Sequence, residues 1–193
     1  MEKEQLKRIF DFLEEKGEHN APFRWKISNN KPITKEDLKV GGDLNLERIE
    51  ITSLPEGLNV DGNLYLYSSN ITSIPKGLKV RGLFLGDSKI KSLPEDLEVK
   101  GLDLSGTEIT KLPKGLKVDH NLVLKQSKIE SLPEGLIVGN DLNLRNCKNL
   151  KSLPKGLKVG GDLYIYGTPI NEIEDNDEIL EMIKPGFIKG NIY

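Results

Sequence analysis

Catalysis needs acids, bases or nucleophiles that converge, and this chain of 193 residues offers few candidates. Its two histidines are His19, in the Glu18-His19-Asn20 segment, and His120, at a recurring turn position otherwise filled by glycine or asparagine. Neither has a cysteine or a second histidine at ligand spacing, so no zinc site is expected. The single cysteine, Cys147, belongs to a column of serines and threonines, where a thiol reads as a small packing group rather than a nucleophile. Gly-Gly-Asp at 41–43 and again at 160–162 is a repeated turn, not a phosphate-cradling loop. The acidic run from Glu172 to Glu181 lacks the spaced ligands and the glycine of a calcium loop. The expectation is a protein that is not an enzyme and carries no cofactor or metal. A hydrolase or ligase component working through dispersed carboxylates is the enzymatic reading that competes with it.

Residues suited to recognition are better represented. One set reads Asn45, Tyr65, Phe84, Asp103, Val123, Asn143 and Tyr164; a second, two residues further on, reads Glu47, Tyr67, Gly86, Ser105, Lys125, Arg145 and Tyr166. Each alternates with a leucine or isoleucine, the period of a strand with one apolar face, so both sets point away from the core. Tyr65, Tyr67 and Phe84 should be neighbours on adjacent strands. Exposed aromatic side chains beside charges have the make-up of interface anchors. The expected partner-binding residues are Asn45, Glu47, Tyr65, Tyr67, Phe84, Asp103, Lys125, Arg145, Tyr164 and Tyr166. The competing reading is that the tyrosines only pack across strands.

The element that must position these side chains is a repeat. Pro55, Pro75, Pro94, Pro113, Pro133 and Pro154 lie 20, 19, 19, 20 and 21 residues apart, and a degenerate copy around Leu38 to Leu46 precedes them, making seven rungs. Leu44, Leu64, Leu83, Leu102, Leu122, Leu142 and Leu163 form one apolar column; Leu46, Leu66, Leu85, Leu104, Leu124, Leu144 and Ile165 form the next. Further columns begin at Ile51, Leu58 and Val60. One rung cannot bury five such side chains, whereas stacked rungs bury them in a continuous core. In Leu-Pro-x-Gly the proline presets a turn that the glycine completes, with Asp96 the exception to glycine. A second turn column reads Gly42, Gly62, Gly82, Gly101, His120, Asn140 and Gly161, residue types suited to positive φ. After each proline the sign alternates through Glu56, Lys76, Glu95, Lys114, Glu134 and Lys155. Alternation turns like-charge repulsion between neighbouring rungs into attraction and opposes a one-rung slip.

Leu64-Tyr65-Leu66-Tyr67-Ser68-Ser69-Asn70-Ile71 resembles the leucine-rich repeat, with Ser69 in the place of the family's asparagine or cysteine. The column there is Ile49, Ser69, Ser88, Thr107, Ser127, Cys147 and Thr168, whose short hydroxyls can bond nearby backbone. The repeat length and the Leu-Pro turn are similar to short bacterial and phage leucine-rich repeats, some of them in secreted effectors. The resemblance implies an α+β leucine-rich-repeat solenoid, with parallel strands on one concave face, short turns on the other and helical caps at both ends. It also implies recognition of a protein partner by that face. Some related effectors carry a ligase domain with a catalytic cysteine, but only about 20 residues follow the last rung. Glycan binding through the tyrosines and self-assembly through an uncovered end compete with capture of a protein.

The ends complete the organisation: 1–32 as an N-terminal cap, 33–173 as the solenoid, 174–193 as a C-terminal helical cap and tail. Leu6, Ile9, Phe10 and Leu13 predict a helix over 2–16, and Phe23, Trp25 and Ile27 predict a strand. Asp175 or Asp177 should cap a helix holding Ile179, Leu180, Met182 and Ile183, which Pro185-Gly186 stops. With 28 basic and 30 acidic residues no nucleic-acid partner is expected. No leader and no apolar span of about 18 residues is found, so no membrane association is expected. The expected state is a cytoplasmic monomer, in the producing cell or in a host.

Overall fold

The structure, a computed structural model, describes residues 23–173 and 175–193. The helix expected over 2–16, together with His19 and Glu174, lies outside the described residues.

The chain winds into a solenoid of parallel strands. Short strands β1 (Lys39–Val40), β2 (Leu44–Asn45), β3 (Asn59–Val60), β4 (Asn63–Tyr65), β5 (Gly82–Phe84), β6 (Gly101–Asp103), β7 (Lys117–Val118), β8 (Leu122–Val123), β9 (Ile137–Val138), β10 (Leu142–Asn143), β11 (Lys158–Val159), β12 (Leu163–Tyr164) and β13 (Phe187–Ile188) lie on two sides of the coil, with β4, β5 and β6 in succession on the same side. The main sheet runs β12-β10-β8-β6-β5-β4-β2. Its register places equivalent leucines opposite one another, from Leu44↔Leu64 and Leu64↔Leu83 through to Leu142↔Leu163. Leu64, Leu66, Leu83, Leu85, Leu122 and Leu124 have no exposed surface. Each such leucine contributes about 1.5–3 kcal/mol of burial, and only neighbouring rungs can provide it.

A second ladder, on the valine column, was not expected. It consists of β1 with β3 and of β13-β11-β9-β7, with isolated bridges Asn59↔Lys79 and Val99↔Val118 beside it. The side opposite the leucine strands is therefore not made of turns alone. Among the described residues, no pairing joins Lys79–Val80 to Glu98–Val99.

The turns also differ from expectation. The register Asn63↔Gly82 and Gly82↔Gly101 puts these glycines one position later than the turn column assigned to them. The true column is Gly42, Gly62, Arg81, Lys100, His120, Asn140, Gly161 and Gly190, each amide after the first donating to the carbonyl of its predecessor. Of these residues only Gly42 has positive φ. Gly62 is needed for space: a Cβ there would lie 2.2 Å from Asp43 Oδ1. In Leu-Pro-x-Gly the five glycines do take positive φ, but Asp96 does not; its carboxylate accepts the Gly77 amide at 3.0 Å. The alternating charges after proline close no ion pair among the described residues. Glu108 instead pairs with Lys91 and Lys128, at 3.5 and 2.6 Å.

Helix α1 (Phe23–Ser28) replaces the strand predicted there. Phe23 and Lys26, three residues apart, face inward, and the buried Lys26 ammonium meets both oxygens of Asp37 at 2.8 and 2.9 Å. Helix α2 (Asn176–Ile183) is N-capped by Asp175, whose side chain accepts the Asp177 amide, and it buries Ile179 and Ile183. The residues after α2 rejoin the ladders. Phe187–Ile188 pairs with Lys158–Val159, and Ile192 bridges Leu163, so the tail forms most of a further rung. No described helix is long and apolar enough to cross a membrane.

Candidate functional site

The outward side of the leucine ladder is built by strand alternation. Leu64 is fully buried while Tyr65 between it and Leu66 is half-buried, so the two point to opposite sides. Two clusters occupy this surface, separated by Val123, Asn143 and the exposed Lys125.

The first cluster joins Tyr65, Phe84, Tyr67 and Asp103. The Tyr65 and Phe84 rings stack at 5.0 Å with an interplanar angle of 16°, and Tyr67 tilts against Phe84 at 6.2 Å. Tyr67 lies across the next rung because that rung offers Gly86: a Cβ there would come within 2.8 Å of the ring. Its hydroxyl reaches two rungs along to donate to Asp103 Oδ2 at 2.9 Å. The other Asp103 oxygen accepts the Ser105 amide and hydroxyl at 2.8 and 2.6 Å, so the carboxylate is held on both sides. Burial raises the Tyr67 pKa well above the usual tyrosine value, and the Asp103 charge and hydrogen bond raise it further. The phenol is therefore a fixed neutral donor. Tyr65 in turn accepts from Asn63 Nδ2 at 3.1 Å.

The second cluster is centred on Tyr164. The Arg145 guanidinium sits 4.2 Å from its ring centroid, and the Tyr193 ring stacks on it at 5.2 Å and 15°. Arg145 belongs to the preceding rung and Tyr193 to the following one, so Tyr164 is sandwiched. Tyr166 is 66% exposed and borders a cleft of about 310 Å³ with Lys148 and Pro169.

The remaining predicted residues have local duties. Asn45, Asp103 and Asn143 each accept the amide two residues on, from Glu47, Ser105 and Arg145, which bends the chain at the strand end. Arg24 from α1 donates to the Asn45 carbonyl and side chain at 2.5 and 2.8 Å and to the Glu47 carbonyl at 3.1 Å, covering the front edge of the ladder.

The parts that three residues play at this surface are not read from the sequence above. Tyr193 was announced by Gly190-Asn191-Ile192-Tyr193, which copies Gly161-Asp162-Leu163-Tyr164. Gly86 could have been flagged as the one glycine in its outward column. Arg24 left no signal.

Cys147 is fully buried; it donates to the Leu124 carbonyl at 3.0 Å and lies 3.7 Å from Ser127 Oγ. Burial raises its pKa. In the same column Thr107 and Thr168 bond the carbonyl three residues back at 2.7 Å, as expected, but the buried hydroxyls of Ser69 and Ser88 have no partner. Among the described residues no group of three or more histidine, cysteine or carboxylate side chains could hold a metal ion. No protein-family model matches the chain, and no curated protein matches it.

Proposed function

We propose that this chain is a non-catalytic recognition module of the leucine-rich-repeat type, with α1 and α2 as its end caps, and that it captures a protein partner on the outward side of the leucine ladder. The observation that carries this reading is the aromatic tier of Tyr65, Phe84 and Tyr67, held by Asp103. Side chains already stacked and hydrogen-bonded lose little freedom on binding, so more of their contact energy becomes affinity. Arg145, Tyr164, Tyr166 and Lys125 extend the same surface with cationic and aromatic groups. A protein offering acidic and apolar groups suits it better than a glycan, because the Tyr164 ring is already occupied on both sides.

The test compares affinity capture by the native chain and by Tyr65→Ala with Phe84→Ala, both checked for folding. Each truncated anchor should cost about 2 kcal/mol or more of binding, which removes the captured protein. Undiminished capture by the folded double variant would refute this face.

A further inference from the structure

The second cluster on the leucine ladder holds a cation without an anion. The Arg145 guanidinium lies over the Tyr164 ring, 4.2 Å from its centroid, and Tyr193 stacks on the same ring, so aromatic packing sets its place. Arg145 is half-buried, yet among the described residues its guanidinium has no hydrogen-bond acceptor and no carboxylate partner; only its backbone amide is bonded, to Asn143 Oδ1. A planar fork of N–H donors is therefore held in position and left to solvent.

The preceding rung adds a second cation. Asn143 and Val123 are paired in register, and the Gln126 amide donates to the Arg145 carbonyl at 2.9 Å, so Lys125 stands opposite Arg145 at a strand spacing of about 4.8 Å. Like charges placed opposite each other repel. The exposed Lys125 enters no ion pair among the described residues either. The carboxylates of the surrounding rungs are engaged elsewhere. Asp103, one rung before Lys125, accepts from Tyr67 and Ser105. Asp141 accepts the Asp162 amide, and Asp162 accepts the Asn191 amide and the Tyr164 hydroxyl.

We propose that Lys125 and Arg145 form an oxyanion subsite, and that it takes the phosphoryl group of a phosphorylated side chain on the protein partner. This rests on the outward side of the leucine ladder being the recognition surface, and it names a group recognised there. A carboxylate brings one charge and two oxygens; the guanidinium fork takes both oxygens and Lys125 stays uncompensated. A phosphomonoester brings a charge of about −1.5 to −2 at pH 7 and three terminal oxygens, enough for two bonds to the fork and a third to the Lys125 ammonium. A phosphodiester of a nucleic-acid backbone has one charge and two free oxygens, so it falls short as the carboxylate does. The exposed Tyr166, on the rung after Arg145, offers its ring to the residues that flank the phosphate.

The probes are end-blocked pentapeptides with phosphoserine, glutamate or serine between randomised flanks, titrated into the full chain. Fluorescence anisotropy reads affinity, and the Arg145 Nε–H resonance reads the place of binding. The phosphoserine set should shift that resonance saturably and bind at least about tenfold more tightly than the glutamate set, as one further charge-assisted hydrogen bond provides; the serine set should not bind. Lys125→Gln, at an exposed side chain, should bring phosphoserine down to the glutamate level, and Arg145→Gln should abolish binding of both. Tyr65→Ala with Phe84→Ala should leave these affinities unchanged, which separates failure of the aromatic tier from failure of this subsite. Absence of a saturable Arg145 shift, equal affinity for glutamate and phosphoserine, undiminished phosphoserine binding by Lys125→Gln, or equally tight binding of an oligothymidine at Arg145 overturns the proposal.

Discussion

Replacing Asp103 by asparagine tests how the aromatic tier is held. Asparagine keeps the oxygen that takes the Ser105 amide but turns an amide toward Tyr67, so a hydrogen bond to an anion becomes a neutral one. Bonds to charged groups contribute about 1.5–3 kcal/mol against about 1 for neutral ones. Both partners are half-buried, so solvent screening reduces the difference to roughly 1 kcal/mol. Urea unfolding of the native chain, Asp103→Asn, Tyr67→Phe and the double variant should give a coupling energy near that value. The ultraviolet titration of the tyrosines provides a second reading. Tyr67 titrates above the ordinary tyrosine value, first through burial and then through Asp103, so Asp103→Asn should move the last phenol to ionise downward. The sign for stability follows. A folded-state pKa above the unfolded value of about 10 contributes stability that is whole below pH 10 and is lost as pH rises beyond it. A coupling energy within error of zero, together with superimposable titrations, would refute the argument.

The unpartnered Ser69 and Ser88 hydroxyls should make Ser69→Ala and Ser88→Ala stabilising by up to about 1 kcal/mol each, because a buried donor without a partner costs about 1–3 kcal/mol; destabilisation in urea would show that the hydroxyls are satisfied. Lys26→Met leaves the half-buried Asp37 without its cation and should cost up to about 3 kcal/mol, read by thermal or urea unfolding. Burial raises the Asp37 pKa, but Lys26, the Thr34 amide and the Thr34 hydroxyl together hold it below the usual value. The pair's contribution is therefore whole above about pH 3.9 and is lost as acid takes the pH through the lower folded value. In Lys26→Met that acid-dependent loss should shrink, and an unchanged acid limb of the stability profile would count against it.

The leucine spine was legible because each rung repeats the same two apolar positions and a slip of one residue would turn them outward. The outward columns followed from the same alternation, and the neighbourhood of Tyr65, Tyr67 and Phe84 with them. The valine ladder was harder to see. Strands of two residues such as Lys117–Val118 carry no alternation long enough to distinguish from a turn. Phe23 to Ile27 misled for a related reason. Phe-Arg-Trp-Lys-Ile fits a strand by hydropathy, but a helix lets Lys26 bury its charge against Asp37, and a buried ion pair leaves no apolar trace. The turn column differs from its sequence pattern because glycine stands at Gly82 and Gly101, whereas the hydrogen-bonded ladder runs through Arg81 and Lys100. Tyr67 reaching Asp103 depends on the missing side chain at Gly86, a contact made across rungs that no local window contains.

Distances between spin labels on the outward column test the stacked ladder most directly. With Cys147→Ser removing the native thiol, labels at Asn45→Cys and Val123→Cys are four ladder steps apart, and at Asn45→Cys and Tyr164→Cys six. At roughly 4.8 Å per step the backbone separations are about 19 and about 29 Å. A rise of that order between the two pairs is the predicted result. Equal distances, or a shorter one for the second pair, would contradict a single parallel stack and the recognition surface proposed on it.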